Sequence, residues 1–114
     1  MEITRSQNGD TVIVTPSGRI DQDTSAAFQE ALSGEIASAP PASVVVDFSA
    51  IEYISSVGLR ALMIGAKESK ASAGKLAVAA LSPVVQEVFQ ISRFDKVIKT
   101  FETVENATQW MREG

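Results

Sequence analysis

Apolar and polar positions alternate along this chain in two different periods. Residues 2–7 and 11–16 form two short extended runs on either side of Asn8-Gly9-Asp10. Asn-Gly between such runs predicts a hairpin turn, because both residue types accept positive φ. Thr11-Val12-Ile13-Val14-Thr15 is rich in β-branched residues and suits a pleated surface. Pro16-Ser17-Gly18 is expected to end that strand. The period then changes. Phe28, Ala31, Leu32 and Ile36 recur at helical spacing behind the capping oxygens of Asp21, Asp23 and Thr24. Pro40-Pro41 is expected to stop this helix.

Ser43 to Phe48 reads as a strand. Val44-Val45-Val46 shows no alternation, which predicts burial on both faces of a sheet. A second helix is expected from about Ser56 to Ala73, with Leu59, Leu62, Met63 and Ala66 as its buried stripe and Gly74 as its stop. Lys75 to Leu81 is the next strand. Ser82 caps and Pro83 opens a short helix through Gln90, with Val84, Val85, Val88 and Phe89 apolar. Val97-Ile98 reads as a short edge strand. Thr103 and Glu105 start a last helix carrying Ala107, Trp110 and Met111. The order is ββαβαβα(β)α. It predicts a single α/β domain with a mixed sheet of about four to five strands and about four helices, the later strands parallel and joined by right-handed crossovers.

Composition narrows the function. At 114 residues the chain suits one domain, here residues 1–114, and its 45% hydrophobic content supports one core. Zero Cys and zero His remove the usual zinc ligands, Ser-His and Cys-His dyads, and histidine as a phosphocarrier. No G-x-x-x-x-G-K-[ST], G-x-G-x-x-G or G-x-S-x-G pattern is present. Neither a cofactor nor enzymatic activity is therefore expected. The absence of Cys fits a reducing compartment, and a cytoplasmic location is expected. Met1-Glu2-Ile3-Thr4-Arg5 shows no signal-peptide pattern, and no apolar run is long enough to insert in a membrane. A net charge of −4 argues against nucleic acid as a partner. That charge is uneven: residues 1–57 carry eight acids and two bases, residues 58–114 six acids and eight bases. The asymmetry is either an ordinary solvated surface or a mildly basic helix face at Arg60, Lys67 and Lys70 for an acidic partner.

The segment Asp47 to Arg60 concentrates the candidate chemistry. It joins a buried strand to a helix, where the first N–H groups lack partners inside the helix. Either Ser55 or Ser56 can cap one of them. The same N–H groups and the helix dipole favour an anion, so a serine here also suits phosphorylation. Asp47 reads as a residue that fixes backbone at a strand end.

These residues resemble the signature of STAS domains, the family of bacterial anti-sigma factor antagonists. The family pattern is a strand ending in Asp-apolar-Ser, then an apolar pair before Asp-Ser-Ser/Thr-Gly-Leu-Gly. Here it reads Asp47-Phe48-Ser49, then Ser55-Ser56-Val57-Gly58-Leu59-Arg60. Gly18-Arg19-Ile20-Asp21 and Leu81-Ser82-Pro83-Val84-Val85 resemble two further family motifs, in the right order. Phe89, Phe94 and Val97-Ile98 match the apolar positions that follow.

The resemblance implies that Ser56 is the phosphoacceptor of an anti-sigma factor serine kinase, with a PP2C-type phosphatase as a further partner. Ser55 stands where the family has an acid, Val57 where it has a second Ser/Thr, and Arg60 where it has a second glycine. Losing the acid and gaining Arg60 makes the local field more positive. The resemblance also implies that the following helix binds the partner, with Ser55, Val57 and Gly58 at its start. Arg60, Ile64 and Lys67 follow at i, i+4 and i+7, away from the buried stripe, and are either a solvated face with one stray isoleucine or an apolar anchor with basic neighbours for that partner. Asp21 and Asp23 either join this surface or serve only as helix caps. The oligomeric expectation is a monomer or weak dimer. An alternative implied by the same resemblance is a soluble STAS subunit of a lipid-transport ABC system.

Overall fold

A computed structural model describes residues 1–38 and 41–113. The elements run β1 (Glu2–Asn8), β2 (Thr11–Ile20), α1 (Ser25–Ser38), β3 (Ser43–Asp47), β4 (Ile51–Ile54), α2 (Ser56–Ala71), β5 (Lys75–Ala79), α3 (Pro83–Ile91), a single 3₁₀ turn (Phe94–Lys96), β6 (Lys99–Phe101) and α4 (Val104–Glu113). β1 and β2 form the antiparallel hairpin, with Asn8 opposite Thr11 and Gly9 at φ +63°. Every later pairing is parallel. The main path of the sheet is β1-β2-β3-β5-β6, and β4 pairs with β2 off that path.

Alternation along the central strands divides the core. Val44 and Val46 of β3, with Val12 and Val14 of β2, face Phe28, Leu32, Leu62 and Phe89 from α1, α2 and α3. Val45, with Ala77 and Ala79 of β5, faces Ala107 and Met111 of α4 on the other side. The unalternating valine run is thus buried on both faces. Small side chains on β5 let α4 lie close to the sheet.

Among the described residues six strands form where four to five were expected, and the differences have identifiable causes. β2 does not end at Pro16. Its parallel partner is β3 up to Val14 and β4 from Gly18, so Pro16 falls between the two ladders, where its missing N–H interrupts neither. The register shifts between Gly18 and Arg19, and Gly18 adopts φ +97°. The sequence makes β4 part of a direct strand-to-helix junction. It is instead a strand that β2 recruits after this bulge.

Val97-Ile98 is not a strand. Ile98 is buried as a core plug, and β6 starts one residue later. β5 ends at Ala79, short of Leu81, because Ala80 turns to φ 62°. Pro40, expected with Pro41 to end the first helix, lies outside the described residues.

Candidate phosphoacceptor site at the start of helix α2

β2, β4 and α2 meet at one edge of the sheet. The Ser55 N–H donates to the Ile20 carbonyl at 2.9 Å, and the Gly18 N–H donates to the Ala50 carbonyl at 2.9 Å. These bonds hold the β4–α2 junction against the end of β2. Gly58 makes this approach possible. A Cβ there would lie 2.7 Å from Ile54 Cγ1, 2.8 Å from Ile20 Cγ2 and 3.0 Å from the Ile20 carbonyl oxygen. Gly58 is buried. Gly58, expected on a partner surface, lets α2 sit down on two isoleucines and so shapes that surface from beneath.

The choice between the two serines is also resolved. Ser55 is the N-cap, with extended backbone (φ −90°, ψ 175°), and its Oγ accepts the Gly58 N–H at 3.3 Å. Ser56 is the first residue of the helix and is exposed. Its hydroxyl is left out of the capping bond. The Ser56 and Val57 N–H groups have no acceptor within the helix. Val57 is 43% exposed beside them. Asp47 and Ser49 shape the preceding turn, where Asp47 Oδ1 accepts the Ser49 N–H at 2.9 Å.

Arg60 lies at i+4 from Ser56, on the same side of the helix, and is exposed. Ile64 is half-buried and Lys67 exposed, one and two turns further along. Asp21 is brought to the same edge by the Ile20–Ser55 bond. Its Oδ1 accepts from the Asp23 N–H at 3.0 Å and the Thr24 hydroxyl at 3.3 Å, and so shapes the turn before α1. Asp23 is exposed in that turn, toward the start of α1.

Two residues here escaped the sequence reading. The Arg19 guanidinium sits over the Tyr53 ring, 4.9 Å from its centroid, and 3.9 Å from Asp21 Oδ2. Tyr53 is the register partner of Arg19 in the parallel β2–β4 ladder, which brings the ring beneath the guanidinium. Arg19 and Tyr53 thus belong to the two strands, β2 and β4, that hold the start of α2.

A family model described as the STAS domain matches residues 2–107. The chain belongs to the STAS domain family. It is 30% identical over 112 residues to the anti-sigma-F factor antagonist RsfB of Mycobacterium tuberculosis, covering 98% of this chain and 90% of that protein. An anti-sigma factor antagonist from Mycobacterium paratuberculosis superposes with a TM-score of 0.88 at 27% identity, over 97% of this STAS domain and 93% of that chain. The phosphorylated form of the Bacillus cell-fate determinant SpoIIAA shares the fold, with a TM-score of 0.68 at 21% identity over 95% of this chain and 97% of that one. No helix among the described residues is long and apolar enough to cross a membrane.

Proposed function

We propose that this STAS domain is an anti-sigma factor antagonist, a non-enzymatic switch that binds an anti-sigma factor serine kinase through the start of α2. The carrying observation is the division of labour at that helix, where Ser55 caps and Ser56 stands exposed. Relatives named as anti-sigma factor antagonists over nearly the full chain support the same reading. In the unmodified state, Val57, Arg60, Ile64 and Lys67 offer an apolar and basic surface to the kinase. Asp21 and Asp23 border it.

The kinase transfers the γ-phosphoryl group of ATP to Ser56 Oγ; the hydroxyl proton leaves and ADP is released. The new phosphate sits at a helix N-terminus, where free N–H groups and the dipole favour it. Arg60 is within one turn. The modification therefore preserves the fold while placing roughly −1.5 to −2 charges in the interface. Desolvating that charge weakens binding and releases the kinase. A PP2C-type phosphatase restores the hydroxyl by hydrolysis.

The test is incubation with the cognate anti-sigma kinase and ATP, phosphosite mapping by mass spectrometry, and titration calorimetry of the same pair. Phosphate is expected on Ser56 alone. Ser56→Ala keeps binding the kinase, and Ser56→Asp binds roughly tenfold more weakly or worse. Phosphate on another residue, or Ser56→Ala phosphorylated like the unaltered chain, overturns the reading.

A further inference from the structure

The opposite end of α2 carries a second surface. Lys70 on the last turn of α2, Lys75 at the start of β5 and Lys99 at the start of β6 line an open groove of about 420 Å³ with Val97, Ile98 and Trp110. The groove lies at the edge of the sheet where the parallel strands begin. Ser56 lies where they end. Fourteen residue steps of helix lead from Ser56 to Lys70, roughly 20 Å at the usual rise per residue.

Three features distinguish this groove. First, its charge is of one sign: no Asp or Glu among the described residues lines it. Among the described residues the ion pairs are Arg5–Glu35 and Arg19–Asp21, and neither involves these three lysines. Three cations gathered without a carboxylate partner among the described residues, in a chain of net charge −4, set up a local field opposite to that of the whole molecule.

Second, the groove is apolar between the cations. Val97 is 46% exposed next to buried Ile98. Third, Trp110 is held in place. The Phe101 ring packs at 5.6 Å from it, and the Lys75 ammonium lies 4.8 Å from its centroid. A fixed aromatic wall loses little conformational freedom on binding and suits a contact anchor.

We propose that this groove docks an acidic peptide segment of a partner protein, with one aromatic or aliphatic side chain against Val97 and Trp110 and carboxylates on Lys70, Lys75 and Lys99. Charge complementarity selects the acidic partner, and the exposed apolar floor selects a segment with an anchor over a bare polyanion. The docking surface does not include Ser56, and its test does not depend on the kinase reading; Lys67, three residues before Lys70 on α2, borders both surfaces. It allows the domain to hold a second protein while the start of α2 is engaged.

Trp110 is the chain's one tryptophan, so its fluorescence reports this groove alone. The probe is a random copolymer of Glu and Tyr, with tryptophan excited selectively. Saturable change in Trp110 emission is expected at low salt. The affinity should fall roughly tenfold or more in Lys70→Glu/Lys99→Glu, and fall again as salt is raised. Both lysines are exposed, and the far-ultraviolet circular dichroism of this variant is expected to match the parent.

Poly-Glu, which lacks the anchor, is expected to bind distinctly more weakly than the copolymer. Equal binding of poly-Glu, or displacement of the copolymer by millimolar-range inorganic phosphate, makes the groove a generic anion site and overturns the proposal. No emission change, or affinity unaffected by the double substitution, overturns it as well. Since Ser56→Ala retains the groove, its copolymer binding stays unchanged whether or not Ser56 is a phosphoacceptor.

Discussion

The Ser55 hydroxyl oxygen accepts the Gly58 N–H at 3.3 Å, and this bond places the capping duty on Ser55 rather than on Ser56. Capping and modification would conflict if one oxygen did both, because a phosphorylated cap must rebuild its hydrogen bonding. Two adjacent serines remove the conflict. Ser55→Ala is therefore expected to lower stability by about 1 kcal/mol, the usual worth of an N-cap. Ser56→Ala, at an exposed first-turn position, should stay within about 0.5 kcal/mol of the parent. Urea unfolding of both variants checks this. Equal losses would show that the two serines share the cap.

Gly58 sets how closely α2 approaches β2 and β4. Its missing Cβ is what keeps Ile20 and Ile54 in their present positions, since both would be overlapped by it. The Ile20 carbonyl is backbone and cannot swing aside. Gly58→Ala is expected to cost about 1–3 kcal/mol, the usual range for overpacking. It should also displace the start of α2 enough to weaken kinase binding. Denaturant unfolding and calorimetry give the two readings. A variant as stable as the parent would mean that the helix end slides outward freely.

Much of this architecture was legible because local signals agreed with the final structure. Asn8-Gly9 made its turn. Ser82 caps α3 through the Val85 N–H at 3.3 Å, and Thr103 caps α4 through the Asn106 N–H at 3.0 Å. β4 was not legible, for a physical reason. Four residues carry too little periodicity, and the strand exists only because β2 continues past a proline and a glycine to pair with it. The sequence offers Pro16-Ser17-Gly18 as a stop, and tertiary pairing overrides it. Val97-Ile98 misled in the opposite direction. Its apolar character comes from Ile98 filling the core and Val97 facing solvent, with no ladder involved. The candidate site was legible as a segment, but telling which serine caps α2 required the hydrogen bond itself.

The left-handed residue after α2 is a remediable weakness. Ala73 has φ 61° and is exposed, in a conformation that costs a residue with a Cβ roughly 1–2 kcal/mol. Glycine avoids that cost but gives back about 0.5–1 kcal/mol through the flexibility of the unfolded chain. Ala73→Gly is thus expected to stabilise by about 0.5–1 kcal/mol. Differential scanning calorimetry should show a higher midpoint. An unchanged or lower midpoint would mean that Ala73 relieves its strain elsewhere. The neighbouring Gly74 cannot be altered in the same spirit, because a Cβ there would lie 2.5 Å from the Ala42 carbonyl oxygen.

A negative charge at Ser56 should act on folding and on binding with opposite sign. Ser56 is at the positive end of the α2 dipole, where an acid gains about 0.3–1 kcal/mol at low ionic strength. Arg60 follows at i+4, the favourable order for an acid preceding a base, and contributes about 0.2–0.5 kcal/mol more. Ser56→Glu is therefore expected to raise stability by about 0.5–1.5 kcal/mol in low salt. Arg60→Ala in that background should remove the smaller part, and salt should erode the whole gain within the Debye screening range. The same Ser56→Glu chain is expected to lose affinity for the kinase. The combination matters, because weakened binding by a more stable protein places the effect in the interface charge. Loss of stability together with loss of binding would trace the switch to a disturbed helix start instead, and the proposed charge mechanism would fail.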